Sequence, residues 1–437
     1  MTPALLLALA LGADTPDSPS EPPSTDWSLS RMMEDVTGAP REREASGTGW
    51  QPATTPMHAH HLHAAGWMVM LHYSVFAGVD SQLSQRGATL PVSANWVMAM
   101  ADHSLLGGRF SARTMLTLEP LTAGGQGFPL LLQSGETYNN QPLHDFQHPH
   151  DLFMELAVSY QHALPAGLAF ELYAAPSGEP ALGPPAFMHR LSASSDPLPP
   201  LGHHWQDSTH VSFGVLTAGL FNRWAKLEGS WFNGREPDEF RWDFDWAPFD
   251  SWSARLSLQP LDWLSAQVSH GFLQQPEALY PLNRIQRTTA SLMVVQHPLK
   301  YATVAVTGSW GHNVGSQERP SNSFLLEANV ECARNDLFLR AEAVQKFGHD
   351  LVLQFDPQLA FERLWVGALS LGYLRELFTL GPVVIGAGGR IAVDLIPAEL
   401  VPYYGTSFPL GGMAYLRLRP TLLPGEERRL GLAGDRP

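Results

Sequence analysis

Nine consecutive residues, 143–151, read LHDFQHPHD and contain three histidines and two aspartates. A deprotonated imidazole nitrogen is a good ligand for copper, zinc and nickel ions. In an extended segment, side chains two residues apart point to the same side, so His148 and His150 are spaced to share one ion. The spacing predicts either a metal site or a polar loop that is held in shape by hydrogen bonds from the same side chains.

A second stretch, GHHWQDSTH at residues 202–210, has the same character. The candidate metal ligands of the two stretches are His144, His148, His150, His203, His204 and His210. The side chains that would instead tie the loops together by hydrogen bonds are Asp145, Asp151, Asp207, Arg235, Glu236 and Asp238. Because a His-x-His motif is short and often arises by chance, we favour the hydrogen-bonded network.

A third run, TPMHAHHLHAAGWMVMLH at residues 55–72, combines histidines with methionines. Sulfur and imidazole ligands together suit copper, and sulfur favours Cu(I). The candidate ligands for copper or another transition-metal ion are His58, His60, His61 and His63, with Met57 beside them. The alternative is a polar leader without a metal, followed by Met68 and Met70 as strand residues that face lipid.

Strands are the elements that would position these residues. From residue 66 to residue 420, runs of roughly 10 residues alternate apolar and polar side chains, as in SWSARLSLQ at residues 251–259. Counting the runs predicts about 16 strands, with 14 as the alternative count. The connections are alternately short and long, which is typical of short periplasmic turns and long outer loops. The sequence therefore predicts an all-β fold, a transmembrane antiparallel up-and-down β-barrel.

The same alternation separates two faces of each strand. The apolar face would contact lipid, and the polar face would line the lumen. The predicted lumen residues are Glu155, Arg255, Glu327, Arg340 and Glu342. Charges of both signs at these positions indicate either a water-filled passage or an interior closed by ion pairs.

The regions outside the barrel have a different composition. A short apolar run with small residues near its end predicts a signal peptide at residues 1–13. Residues 14–65 are rich in Pro, Ser, Thr and Gly and predict a flexible leader that contains the Met/His run. The barrel would span residues 66–420, and residues 421–437 would form a C-terminal tail. An exported barrel of this kind is expected in the outer membrane of a Gram-negative bacterium.

Composition limits the function classes. The 437 residues carry a formal net charge of −15, which argues against a nucleic-acid partner. The expected partners are outer-membrane lipid and small solutes or metal ions, and a homo-oligomer remains open. A single cysteine excludes an internal disulfide. The sequence contains no GxSxG nucleophile motif, and we do not predict an enzyme.

Several motifs resemble known families. The segments HDFQHPHDLFMELAVSY, GEPALGP, LGHHWQDSTHVSFG and NGREPDE resemble those of a family of uncharacterised predicted outer-membrane β-barrel proteins, over most of residues 67–420. That resemblance implies a fold but no activity. The order of export signal, Met/His segment and barrel is similar to that of the copper-resistance B outer-membrane proteins, which implies copper handling.

These observations lead to three functional hypotheses. The first is porin-like passage of small solutes, with outer loops held by the His/Asp network. The second is a metal-handling outer-membrane protein of the copper type. The third is a closed barrel with a structural or surface-interaction role.

Overall fold

The computed structural model describes residues 33–353 and 355–422, apart from the side chain of residue 136. The predicted signal peptide and nearly all of the predicted C-terminal tail lie outside the described residues. Within them, no helix has both the length and the apolar character needed to cross a membrane.

Antiparallel strands make up most of the described chain. In chain order they are β1 (His60–Ala64), β2 (Trp67–Leu83), β3 (Thr89–Val92), β4 (Asn95–Leu105), β5 (Gly108–Leu116), β6 (Phe128–Tyr138), β7 (Gln141–Gln147), β8 (Phe153–Ala163), β9 (Ala169–Gly178), β10 (Ser212–Phe221), β11 (Ala225–Phe232), β12 (Ser251–Leu261), β13 (Leu264–Gln274), β14 (Arg284–Leu299), β15 (Ala302–Gly315), β16 (Ser321–Cys332), β17 (Asn335–Phe347), β18 (Arg363–Leu380), β19 (Val383–Leu395) and β20 (Leu410–Pro420). The short α-helices are Glu119–Thr122, His203–Gln206 and Val401–Tyr404. The short 3-10 helices are Arg41–Arg43, Pro165–Gly167, Phe187–His189, Leu191–Ala193, Ser208–His210 and Ala398–Leu400.

Sixteen of these strands close into one barrel. Strand β2 pairs with β4, β4 with β5, β5 with β8 and β8 with β9; each later strand pairs with the next until β20 pairs with β2. Strands β1 and β3 pair with β2 beside this ring, and β6 and β7 form a separate hairpin. The predicted fold class and the count of about 16 strands are confirmed.

The connections differ at the two ends of the barrel. At one end they are tight turns, such as residues 106–107 between β4 and β5 and residues 333–334 between β16 and β17. At the other end they include residues 117–152, 179–211 and 233–250. The predicted alternation of short and long connections is therefore present around the whole ring, and we call the two ends the short-turn end and the long-loop end.

Strand β12 illustrates how the sequence makes two different faces. Trp252 and Leu256 leave 50% and 41% of their surface exposed on the outside, while Arg255 between them is buried inside the barrel. Side chains alternate because the strand has a two-residue period. An apolar outer surface of this extent on a closed barrel is suited to lipid, because each of the sixteen strands of the ring is paired on both sides.

The predicted lumen residues are buried inside the barrel and are paired. Arg255 Nε donates to Glu228 at 3.0 Å, and Arg340 Nε donates to Glu327 at 3.1 Å. Glu155 accepts a hydrogen bond from Tyr173 at 2.9 Å and forms an ion pair with Arg113. Glu342 is buried near Arg340 and accepts a hydrogen bond from the backbone N–H of Gly202. Charges of opposite sign are placed next to each other because a buried charge without a partner would be costly.

The described part of the predicted flexible leader departs from that expectation. Residues 33–56 are folded inside the barrel, where Arg41 forms an ion pair with Asp102 of β4 at 2.5 Å and Glu44 pairs with Arg109 of β5. Arg43 lies 3.8 Å from the ring centre of Trp50. We predicted flexibility because the segment has few large apolar groups. It is ordered instead by charged partners on the barrel wall, which a local composition argument does not include. We call residues 33–56 the inner segment.

A second part of the chain also enters the lumen. Residues 179–211, which connect β9 and β10, fold inward instead of extending away from the barrel. Arg190 donates to Glu327 of β16 at 3.0 Å, and Asp196 forms an ion pair with Arg340 of β17 at 3.3 Å. Ala186 donates its backbone N–H to Ser46 of the inner segment at 2.9 Å. We call residues 179–211 the inner loop. The inner loop and the inner segment therefore contact each other within the barrel.

Candidate functional site

The two histidine stretches that the sequence singled out lie next to each other in space. His150, at the end of the connection between β5 and β8, brings its Nε2 within 3.1 Å of Nε2 of His210 in the inner loop. The His203 ring lies 5.0 Å from the His210 ring, and the His148 ring lies 6.1 Å from the His150 ring. The His204 ring lies 5.3 Å from the His203 ring. Five imidazoles thus form a continuous row at the long-loop end.

Each of four rings in this row uses Nδ1 for a hydrogen bond to an oxygen. His150 binds Glu119 Oε2 at 2.8 Å, and His204 binds Glu236 Oε1 at 2.9 Å. His203 binds the Asp207 carboxylate and His210 the Asp207 carbonyl, both at 2.7 Å. A neutral imidazole that donates from Nδ1 carries a lone pair on Nε2. The Nε2 atoms of His150 and His210 face each other as two lone pairs unless a proton or a cation lies between them.

Burial and charge control protonation in this row. Burial, followed by the charges of His203 and His150, lowers the pKa of His210 well below its usual value. Burial alone would raise the pKa of Glu119, but the charge of His150 and its hydrogen bonds lower it. The row therefore combines a carboxylate with a lowered pKa, Glu119, and an imidazole with a lowered pKa, His210.

The arrangement of the row is that of a hydrogen-bonded network. Among the described residues, the one group of His, Cys, Asp or Glu that places three ligand atoms within 4.8 Å of one another is Asp238, Asp243 and Asp245. These aspartates are largely exposed and include no histidine. The histidine row brings two ligand atoms together instead of three, so a transition-metal site with three or more imidazoles is not assembled there.

The remaining predicted network residues make other contacts. His144 binds Asp145 at 2.7 Å, and Arg86 forms an ion pair with the same carboxylate at 2.7 Å. Asp151 lies 3.5 Å from Arg241. Arg235 forms an ion pair with Asp250 at 2.8 Å, and Asp238 donates its backbone N–H to Asp245. The contacts of Asp145, Arg235 and Asp238 stabilise individual loops, whereas Asp151 and Glu236 line a small cavity together with the row. Glu236 also connects the row to the connection 233–250.

The histidines at the start of the chain do not converge. His60, His61 and His63 lie along β1, which pairs with the beginning of β2, and His63 is exposed. His60 Nε2 lies 3.4 Å from the hydroxyl of Tyr73. His58 Nδ1 lies 3.3 Å from the carbonyl of Pro420. No three of these four histidines bring ring nitrogens within 4.8 Å of one another, and the copper site at the rim stays a prediction.

Met68 and Met70 do not face lipid, in contrast to the alternative drawn from the sequence. Both are buried, with 1% and 4% of their surface exposed, and they face the lumen instead of lipid. The reason is the register of β2, in which Leu71 takes the outward position.

A cavity of about 190 Å³ lies inside the barrel beside these methionines. It is lined on one side by Met70, His72, Trp96, Met98 and Met100 of the wall, and on the other by the inner segment and the inner loop. The inner loop contributes Met188 and His189. The sequence did not predict that Met188 and His189 line the lumen, because nothing local indicates that this loop turns inward.

A hydrolytic triad is not built from the residues that could suggest one. Ser208 accepts a hydrogen bond from Arg287 at 2.8 Å. His210 binds the Asp207 carbonyl, and the Asp207 carboxylate binds His203 and Arg190. Ser208 and His210 thus use their polar atoms for structural contacts.

A closed barrel of sixteen antiparallel strands, with an apolar exterior and a charged interior, is the architecture of an outer-membrane β-barrel protein. The protein is accordingly placed in the outer membrane of a Gram-negative bacterium.

Solved structures of low sequence identity align with this chain. The anion-selective porin from Comamonas acidovorans aligns with a TM-score of 0.49 and 10% identity, over 81% of this chain and 99% of that one. OmpF of Salmonella typhi in complex with daunomycin aligns with a TM-score of 0.49 and 6% identity, over 82% of this chain and 100% of that one. OprB of Pseudomonas putida aligns with a TM-score of 0.49 and 10% identity, over 80% of this chain and 94% of that one. No family model and no curated protein match the chain. The resemblances drawn from the motifs therefore stay predictions.

Proposed function

We propose that this protein is a porin-like passage for small solutes, narrowed by the inner segment and the inner loop. The observation that supports this most is the kind of contact by which these two segments are held. Arg41–Asp102 and Arg190–Glu327 are contacts between charged groups. Water and small polar solutes can solvate such groups, whereas an apolar core would exclude them. A barrel of this strand number is wide enough for an aqueous passage unless it is filled.

We further propose that the His/Asp network fixes the inner loop in place. The row joins the connection 117–152 to the inner loop through His150 and His210, and it joins the inner loop to the connection 233–250 through His204 and Glu236. A loop that carries this many polar bonds to its neighbours keeps one conformation at the mouth of the barrel. Hydrogen–deuterium exchange of residues 179–211 tests this: faster exchange is expected in His210→Ala, and unchanged exchange contradicts it.

Liposome swelling with neutral solutes of increasing size tests the proposed passage. The expected result is permeability to a three-carbon polyol that falls steeply for a disaccharide, because the inner segment and the inner loop occupy much of the lumen. Glu34→Ala, which alters an exposed side chain of the inner segment, is a matched control and is expected to behave like the original chain. Liposomes that swell with none of these solutes would instead favour a closed barrel with a structural or surface role.

The homo-oligomer stays a prediction, which the mass of the detergent-solubilised particle tests.

A further inference from the structure

A patch of thioether side chains covers the lumen face of three adjacent strands. Met70 of β2 lies directly opposite Met100 of β4, and His72 of β2 lies directly opposite Met98 of β4. Met98 in turn lies opposite Met115 of β5. Directly opposite residues in an antiparallel pair have Cβ atoms about 5 Å apart, so these side chains are in reach of one another. Four sulfur atoms and one imidazole therefore share one area of the wall.

Packing alone does not account for this choice of residues. In the buried cluster that contains this patch, five of eight residues are methionine. The larger buried cluster in the same barrel has one methionine among 22 residues and uses Leu, Val and Phe instead. Methionine is the more flexible filler and has the larger side-chain entropy to lose on burial. Its concentration in one cluster indicates a role for sulfur in addition to volume.

Two imidazoles and an indole complete the cavity beside this patch. The His72 ring lies 6.0 Å from the ring of His189 in the inner loop, and Trp96 lies 5.2 Å from both rings. His72 Nε2 is buried and has no hydrogen-bond partner. A buried imidazole nitrogen without a partner is rare in native structures, and a bound cation would give it one.

We propose that this cavity binds a soft monovalent cation, Cu(I) or Ag(I), through Met70, Met98, Met100 and His72, with Met188 and His189 approaching from the inner loop. Neutral thioether and imidazole ligands suit soft cations and discriminate against Mg²⁺ and Ca²⁺, which require oxygen ligands. Met57 and His58, the two residues that follow the inner segment, line the same cavity. The site lies within the lumen and does not include His60, His61 or His63. The proposed cation site rests on the geometry of this cavity and does not depend on the passage of solutes through the barrel.

Titration of the purified full-length barrel in detergent with Ag(I), and with Cu(I) against a chromophoric Cu(I) chelator, tests the site. The variant M98L/M100L keeps side-chain volume nearly constant while it removes two sulfur atoms. We expect it to lower the affinity at least tenfold and to reduce the sulfur scattering around bound Cu(I) in X-ray absorption. H72F is expected to weaken binding similarly, because it removes the nitrogen ligand and keeps a ring.

Two controls distinguish this site from cation binding elsewhere on the barrel. M413L changes a methionine of the other buried cluster and is expected to bind like the original chain. The triple variant H60A/H61A/H63A alters the rim and is also expected to bind normally. The proposal is overturned if the original chain does not bind Ag(I), if M98L/M100L binds as tightly as the original chain, or if the rim variant alone abolishes binding. Heat-modifiable migration in gel electrophoresis verifies that each variant is folded.

Discussion

Replacement of Glu44 by alanine should release the inner segment from the barrel wall. Burial by itself would raise the pKa of Glu44, but the charges of Arg109 and Arg41 and hydrogen bonds from Arg109 and Gln161 outweigh it and lower the pKa from 4.5 to about 2. At about 1.4 kcal/mol per pH unit, that difference corresponds to about 3 kcal/mol. Breaking a buried ion pair by removing one partner costs about 3–5 kcal/mol in other proteins, which is the same range.

An energy of about 3 kcal/mol changes the ratio of docked to undocked inner segment by about 100-fold, because about 1.4 kcal/mol is a factor of 10. The assay is the rate at which a membrane-impermeant maleimide labels Ser46→Cys, a buried position of the inner segment, in a Cys332→Ser background. We expect labelling to rise by up to about 100-fold in Glu44→Ala.

The matched control is Glu34→Ala, which changes an exposed carboxylate of the same segment and should leave the labelling rate unchanged. Equal labelling of Ser46→Cys in the Glu44→Ala protein and in its parent would refute the reasoning, because the ion pairs of Glu44 would then not hold the segment.

The same contacts have a predictable pH dependence. The pKa of Glu44 is lower in the folded protein than in the unfolded chain, so its stabilisation is present above about pH 4.5 and is lost as the pH falls toward about 2.

Three further predictions concern the loops, the inner loop and the lipid face. Burial would lower the pKa of His349, but hydrogen bonds and nearby carboxylates outweigh burial and raise the pKa to about 9. The protonated ring should therefore stabilise its loop fully below about pH 6.5, and this stabilisation should be lost as the pH rises through 9. An NMR titration of the His349 ring measures this pKa. Arg190→Met removes one partner from each of the buried carboxylates of Asp207 and Glu327 and should lower the free energy of unfolding by about 3–5 kcal/mol in urea titrations, whereas Arg319→Ala in an exposed ion pair should change it by less than about 1 kcal/mol. Leu256→Arg on the outer face of β12 should destabilise the barrel in lipid by about 2–4 kcal/mol if the side chain lies near the bilayer centre, and refolding yields into vesicles measure it.

The barrel itself was predictable because its signal is local. In β12, Trp252 and Leu256 alternate with Ser253 and Arg255, and this two-residue period predicts which side chains face outward. The turns are local as well, since Leu106 and Gly107 suffice to connect β4 and β5. Each strand therefore carries its own evidence, and the evidence repeats around the ring.

The contents of the lumen were not predictable in the same way. The inner loop turns inward because Arg190 finds Glu327, and the inner segment is ordered because Glu44 finds Arg109. These partners are far apart along the chain, and no local pattern links them. The histidine row illustrates the same limit: the spacing of His148 and His150 suggested that they act together, but the nitrogen 3.1 Å from His150 Nε2 belongs to His210 of another loop. The patch of methionines was visible only in part, because its strands had to be placed in register first.

Single-channel recording in planar bilayers tests the central claim most directly, by comparing the full chain with a refolded protein that lacks residues 33–56. If the inner segment narrows a passage through the barrel, the full chain should give small conductance steps and the shortened protein clearly larger ones. Steps of equal size in both proteins would contradict the position of the inner segment in the conducting path, and the absence of steps from both would contradict the passage itself.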